Sequence, residues 1–296
     1  MITLENKQLR VQIDEIGAEI KSVKRLSDGY EYIWQGNPTY WRRSAPVLFP
    51  VVGGLKEGTY QYQGQTYSLP NHGFARDMQF ELQSRNQQHT ASFCLKSNDQ
   101  TQQMYPFDFS LQINYVLYFN QITISYEILN PSSQERLYYS IGGHPAFNVS
   151  LNPDQNNEFD QVKTKIEPAG KYLHLPIDKE GFINLDKAKY VDTSELTILH
   201  KTFRKDALVF QLGQQATTTL LDYKNKVKIS LKQDGMPYVG IWSPYPKKAS
   251  FVCIEPWAGI ADTNETNGDL ISKMGIHYLD PNQIKAYDYS ISFETI

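Results

Sequence analysis

Three stretches far apart in this chain each place a polar, titratable side chain where the surrounding pattern calls for buried apolar ones. They are Asn71-His72-Gly73-Phe74-Ala75-Arg76, Gly142-Gly143-His144-Pro145-Ala146-Phe147-Asn148 and Phe251-Val252-Cys253-Ile254-Glu255-Pro256-Trp257. Two histidines and a glutamate in such settings are the groups needed to move protons at one carbon and a neighbouring oxygen. No cofactor motif accompanies them, and Gly53-Gly54 and Gly142-Gly143 match no phosphate-loop pattern. The six histidines show no metal-ligand spacing such as His-x-x-x-His, so neither metal nor cofactor is expected. What remains is acid–base chemistry on a small polar substrate.

Each residue also has a plainer reading. His72, between Pro70-Asn71 and Gly73, reads alone as a turn histidine bonded to nearby backbone. With Asn71 before it and Arg76 four residues on, it reads instead as one of a group of donors for hydroxyls or an oxyanion. His144 follows two glycines and precedes proline, which suits either a structural histidine or a general acid, since imidazole titrates near neutral pH. Glu255 is the sharper signal. Strand alternation puts it on the same face as Cys253, where a carboxylate is costly unless paired or functional, and burial raises its pKa toward that of a general base. Asp206, before the apolar run Ala207 to Phe210, and Arg43, in Trp41-Arg42-Arg43-Ser44-Ala45-Pro46, are ambiguous alone.

The elements that must position these residues are strands, because the dominant period is two. Leu9, Val11 and Ile13 alternate with polar residues, and Ile16, Ala18 and Ile20 follow after a bend. Tyr60 and Tyr62, then Gln63-Gly64, then Tyr67 and Leu69 read as a tight hairpin. A longer antiparallel pair runs from Leu111 to Phe119 and from Ile122 to Ile128, joined at Asn120-Gln121. Later strands fall at 208–210, 217–221, 227–231 and 238–242, and the alternation closes with Tyr287, Tyr289, Ile291 and Phe293. Helical signals are few: a short helix or irregular loop over Asp192–Phe203, and one turn within Gly268–Met274. The polar stretch Asn152–Asp160 reads as a surface loop. The expectation is an all-β chain, a large antiparallel β-sandwich with few short helices, as one domain over residues 1–296.

Bulk properties limit the partners. A formal net charge of −3 leaves no basic footprint for nucleic acid. Aromatic residues make up 13% of the chain, and their faces suit both half-buried β surfaces and stacking on sugars. Cys94 and Cys253 both sit in apolar runs and read as free buried thiols. There is no signal-peptide pattern at the start and no apolar run of about 20 residues, so the reading is a cytoplasmic protein with no membrane contact. Monomer and homodimer stay open.

Taken together and in order, His-Gly at 72–73, His-Pro-x-Phe-Asn at 144–148 and Ile-Glu-Pro at 254–256 resemble the aldose 1-epimerase (galactose mutarotase-like) family, with Asp206 before its apolar strand as a fourth match. The resemblance spans nearly the whole chain. It implies a β-sandwich with an open cleft on one sheet, a small-molecule sugar as partner, and no metal or cofactor. By the same resemblance Glu255 is the general base, His144 the general acid, His72 a second histidine that holds the sugar, and Asp206 a ligand of its hydroxyls. Galactose mutarotases carry an arginine upstream of the first histidine, in a Gly-Arg-x-x-Asn-Arg stretch; here that region, Phe49 to Leu55, has none. Arg43 and the His-Gly-Phe-Ala-Arg stretch ending at Arg76 are instead similar to the hexose-6-phosphate mutarotase branch, where two arginines help bind phosphate. The implied reaction interconverts the α and β anomers of a hexose or hexose phosphate. A glycosidase, which needs two flanking carboxylates, and a non-catalytic sugar-binding protein are the alternatives.

Overall fold

A computed structural model of the chain describes every residue except Gln87 and Gln214, and the side chain of Arg85. Two large antiparallel sheets dominate it. The first has nine strands, in the order Leu196–Thr197, Val162–Glu167, Gln215–Asp222, Val227–Asp234, Ile284–Thr295, Gln121–Leu129, Ser110–Tyr118, Thr90–Lys96 and Glu81–Asn86. The second runs Lys189–Asp192, Lys171–His174, Leu208–Gln211, Tyr238–Trp242, Phe251–Ala258, Ile141–Gly143 and Val47–Leu48, with Ala146–Asn148 pairing the first half of Phe251–Ala258. The β-sandwich is as expected.

Period-two patterning explains the nine-stranded sheet. Leu111, Ile113, Tyr115 and Leu117 are buried, as are Ile122, Ile124, Tyr126 and Ile128 on the next strand and Tyr287, Tyr289, Ile291 and Phe293 on the one beyond. These inner faces meet Ile141, Phe210, Val239, Ile241, Val252 and Ile254 of the second sheet in one hydrophobic cluster. The second sheet is covered on its other face as well. Phe251–Ala258 is buried at every position, with Val252 and Ile254 toward the first sheet and Cys253, Glu255 and Trp257 on the opposite side.

Several local expectations need correction. The long hairpin turns at Phe119-Asn120, one residue early, with Phe119 in the left-handed region (φ 49°). Ile16 is 51% exposed and does not extend the core alternation. Asp192–Phe203 is no helix but the end of one strand, the two-residue strand Leu196–Thr197 and the 3-10 turn His200–Phe203. Gly268–Met274 forms turns without a helical one. Asn152–Asp160 is not wholly a surface loop, since Phe159 is 4% exposed. The only α-helix among the described residues, Asp99–Met104, carries no apolar stripe; the reciprocal bonds of its Asn98–Thr101 capping box start it. Among the described residues no helix is long and apolar enough to cross a membrane.

Candidate active site

The site is assembled on the outer face of the second sheet, from the interior of one strand and the turns and connections beside it. Glu255 lies mid-strand with Gly240 as its cross-strand partner, and Cys253 lies opposite Ala146 and Trp242. Small residues around it leave room for Trp257: a Cβ on Gly240 would stand 2.8 Å from that indole. His144 enters between Ile141–Gly143 and Ala146–Asn148, its N–H donating to the Pro46 carbonyl at 3.1 Å. The chain can pass there because a Cβ on Gly143 would meet the Tyr289 and Tyr126 hydroxyls at 2.7 and 2.9 Å. His72 sits in a turn where His72 and Gly73 both have positive φ, 65° and 70°. Any Cβ at Gly73 would lie 2.2 Å from the Phe49 carbonyl oxygen, so only glycine allows this approach.

The central contact joins His144 Nε2 and Glu255 Oε2 at 3.0 Å, with the two residues 6% and 1% exposed. Burial first, and the Asp206 charge second, hold the Glu255 carboxyl well above the usual carboxylate range. Burial pushes His144 down to about 3, and the charges of Arg76 and Arg43 act in the same direction. The expectation of an imidazole titrating near neutrality is thereby corrected, while that of a raised carboxyl agrees in direction. Both shifts favour neutral forms, so the pair holds one proton, on the Glu255 side of the contact. Aromatic rings enclose it: Trp41 stacks on His144 (4.8 Å, 28°) and Trp242 stands edge-on to it (5.7 Å, 83°).

His72 stands edge-on to His144, ring centroids 5.5 Å apart. Its Nδ1 accepts the Gly53 N–H at 3.0 Å, which leaves the ring proton on Nε2 and makes His72 a donor. Burial and the neighbouring His144 push its pKa well down, so it is neutral. Both readings of His72 therefore meet in one residue: it is bonded to backbone, and the bond fixes its tautomer. Arg43 and Arg76 lie close enough to act on both histidines. The Arg43 guanidinium grips both oxygens of Asp77, at 2.9 and 3.0 Å, and reaches the Arg76 carbonyl at 3.5 Å. Arg76 donates to the Asn71 carbonyl, and its buried Nε has no hydrogen bond but lies 3.9 Å from an Asp77 carboxylate oxygen. Burial and then Arg43 lower the Arg76 guanidinium to about 10. The exposed side chain of Asn71 takes no part in these contacts; its backbone does. Asp206, at φ 77°, accepts the Ala207 N–H at 2.8 Å. Desolvation raises its carboxyl, with the Ala207 N–H and the Trp242 indole opposing.

Sequence reasoning missed Trp41, Trp242 and Asp77. Trp41 is adjacent to Arg42-Arg43 and Asp77 follows Arg76 directly, but nothing in their spacing says that a loop and a turn meet over His144. Beneath the turn, Asp262 and Lys273 form a buried ion pair at 2.7 Å. Asp262 also accepts the Lys56 N–H at 2.9 Å and donates its own N–H to the Gly54 carbonyl, fixing the loop that carries Gly53.

Residues 1–274 match the aldose 1-epimerase family. The chain belongs to that family. It is similar to a galactose mutarotase related enzyme from Lactobacillus acidophilus: 36% identity, TM-score 0.94, covering 99% of this chain and 97% of that one. A galactose mutarotase-like protein from Lactobacillus casei gives 30% identity and TM-score 0.92, with 99% and 100% covered. Protein LacX (plasmid) of Lactococcus lactis subsp. lactis is 29% identical over 304 residues, covering 98% of this chain and 99% of LacX.

Proposed function

We propose that this chain catalyses the interconversion of α and β anomers of an aldohexose by ring opening, with Glu255 and His144 as the proton-transfer pair. The observation that carries the reading is the 3.0 Å contact between them inside an aromatic enclosure, in a chain of this family. Opening the ring requires removal of the C1 hydroxyl proton and delivery of a proton to the ring oxygen. Rotation about C1–C2 and closure on the other face then reverse both transfers. One proton shared by two groups suits a reaction whose second half returns what the first half used. Each group contributes about 10²–10⁴-fold, ample for a reaction already measurable in water. His72, as a neutral donor, and Asp206, as an acceptor, hold hydroxyls, and the Trp41 and Trp242 faces offer stacking for the ring.

The substrate we favour is unphosphorylated, because both Asp77 oxygens already sit on Arg43 Nη2, where a phosphate would have to displace them. The names of the similar proteins, galactose mutarotase related and galactose mutarotase-like, agree with a hexose. A polarimetric panel of α-glucose, α-galactose and their 6-phosphates tests the reading. Acceleration with at least one sugar supports it; binding without acceleration would leave a non-catalytic sugar-binding protein in its place.

A further inference from the structure

Cys253 takes no part in the proposed proton transfers, yet its sulfur is aimed at them. Strand alternation puts Cys253 and Glu255 on one face of Phe251–Ala258, and Ala146, two residues after His144, is the cross-strand partner of Cys253. As a result His144 nitrogen, Cys253 Sγ and a Glu255 carboxylate oxygen lie within 4.8 Å of one another, all three residues buried. A zinc-type ion with ligands at about 2.0–2.3 Å in tetrahedral arrangement needs its donors about 3.5 Å apart. The His144–Glu255 edge is 3.0 Å, and no edge of the triad exceeds 4.8 Å. One thiolate, one imidazole and one carboxylate form a donor set that favours borderline cations over calcium or magnesium, which take oxygen ligands.

We propose that His144, Cys253 and Glu255 form a binding site for a zinc-type divalent cation, and that its occupation shuts off the proton-transfer pair. The Cys253 thiol and the Glu255 carboxyl each release a proton as one dication enters, so the net charge of the buried site is unchanged. A bound cation takes His144 and Glu255 away from the proton transfers we assign to them, so it blocks the reaction. Binding itself is independent of the function proposed above; only its inhibitory effect rests on that reading.

Cobalt(II) is the direct probe, because a cysteine thiolate bound to it produces an intense near-ultraviolet charge-transfer band. Full-length protein freed of metal is titrated with cobalt chloride, and zinc chloride is then added. The expected result is a saturable band at one equivalent, abolished by zinc, lost in Cys253→Ser and in Cys253→Ala, and kept in Cys94→Ser. In parallel, zinc inhibits anomer exchange in wild type, and Cys253→Ser weakens that inhibition tenfold or more. Absence of the band, its survival in both Cys253 variants, or zinc inhibition unchanged by them overturns the proposal. Absence of anomer exchange on every sugar, with the band intact, would instead sink the proposed function and leave the cation site standing.

Discussion

Replacing Glu255 by glutamine should cost activity and gain stability, and both magnitudes follow from burial. The carboxyl is 1% exposed and in contact with His144 at 3.0 Å, and the carboxamide has the same shape and can still donate to Nε2. Loss of the group that carries the transferable proton should lower the exchange rate by about 10²–10⁴-fold with little change in sugar affinity. Stability moves the other way. Folding raises the Glu255 pKa, so above the unfolded value near 4.3 the native state holds a proton that the unfolded state has released. Native stability is then lost as pH rises from that value toward the folded one, by about 1.4 kcal/mol per pH step of one. Glutamine does not titrate and escapes this loss, while His144 contributes its opposite slope to both proteins. Urea unfolding at pH 5 and pH 8 reads the difference. With a slope of about 3 kcal/mol/M for a chain of this size, Glu255→Gln should gain about 0.5 M in midpoint over wild type for every pH step of one that lies between pH 5 and the folded value. A variant less stable than wild type at pH 8, or one within threefold of wild-type activity, refutes the reasoning.

The pH profile of kcat/KM should keep its plateau well below pH 6.5, because the acid limb belongs to a pair whose histidine lies at about 3, and the alkaline limb to the raised carboxyl losing the shared proton; an acid limb at about 6.5 would contradict the buried neutral imidazole. Asp77→Asn should remove the charge that holds Arg43 Nη2 and raise kcat/KM for 6-phosphorylated hexoses at least tenfold with little change for free ones, and Arg76→Ala in that background should reverse the gain; equal effects on both sugar classes would assign the arginines to the ring hydroxyls. Lys273→Met leaves Asp262 buried and unpaired, so urea unfolding should show a loss of about 3–5 kcal/mol, with Lys273→Met/Asp262→Asn recovering part of it; no loss would mean that the pair contributes nothing. Calorimetry should give one unfolding transition for residues 1–296 as a single domain, and two resolved transitions would divide it.

The strands were legible because one face of each is wet. Leu111 to Leu117 and Tyr287 to Phe293 alternate since their sheet has a solvated side, and the same rule made Glu255 conspicuous in a strand buried on both faces. The histidines and Glu255 could be read from their unfavourable settings. Their partners could not, because cross-strand register is a long-range property: nothing local says that Ala146 lies opposite Cys253, or that Trp41 folds over His144. For the same reason no His-x-x-x-His spacing marks a donor cluster shared between one strand and the connection that carries His144. The Asp99–Met104 helix went unread because its cap, and not a hydrophobic stripe, defines it. Over Asp192–Phe203 the sequence left helix and irregular loop open; Thr193 is buried with its hydroxyl bonded to Gly170, and the stretch is irregular apart from strand ends and one 3-10 turn.

The central claim is that the His144–Glu255 pair exchanges anomers by opening the ring at C1–O5 without breaking C1–O1. Exchange NMR on an α-hexose labelled with ¹⁸O at C1 tests both parts in one experiment, since the label shifts the C1 resonance. Wild-type protein should speed α–β exchange by orders of magnitude over the uncatalysed rate while the label stays at C1. Exchange no faster than in buffer, or loss of the label to water in step with exchange, would contradict the account.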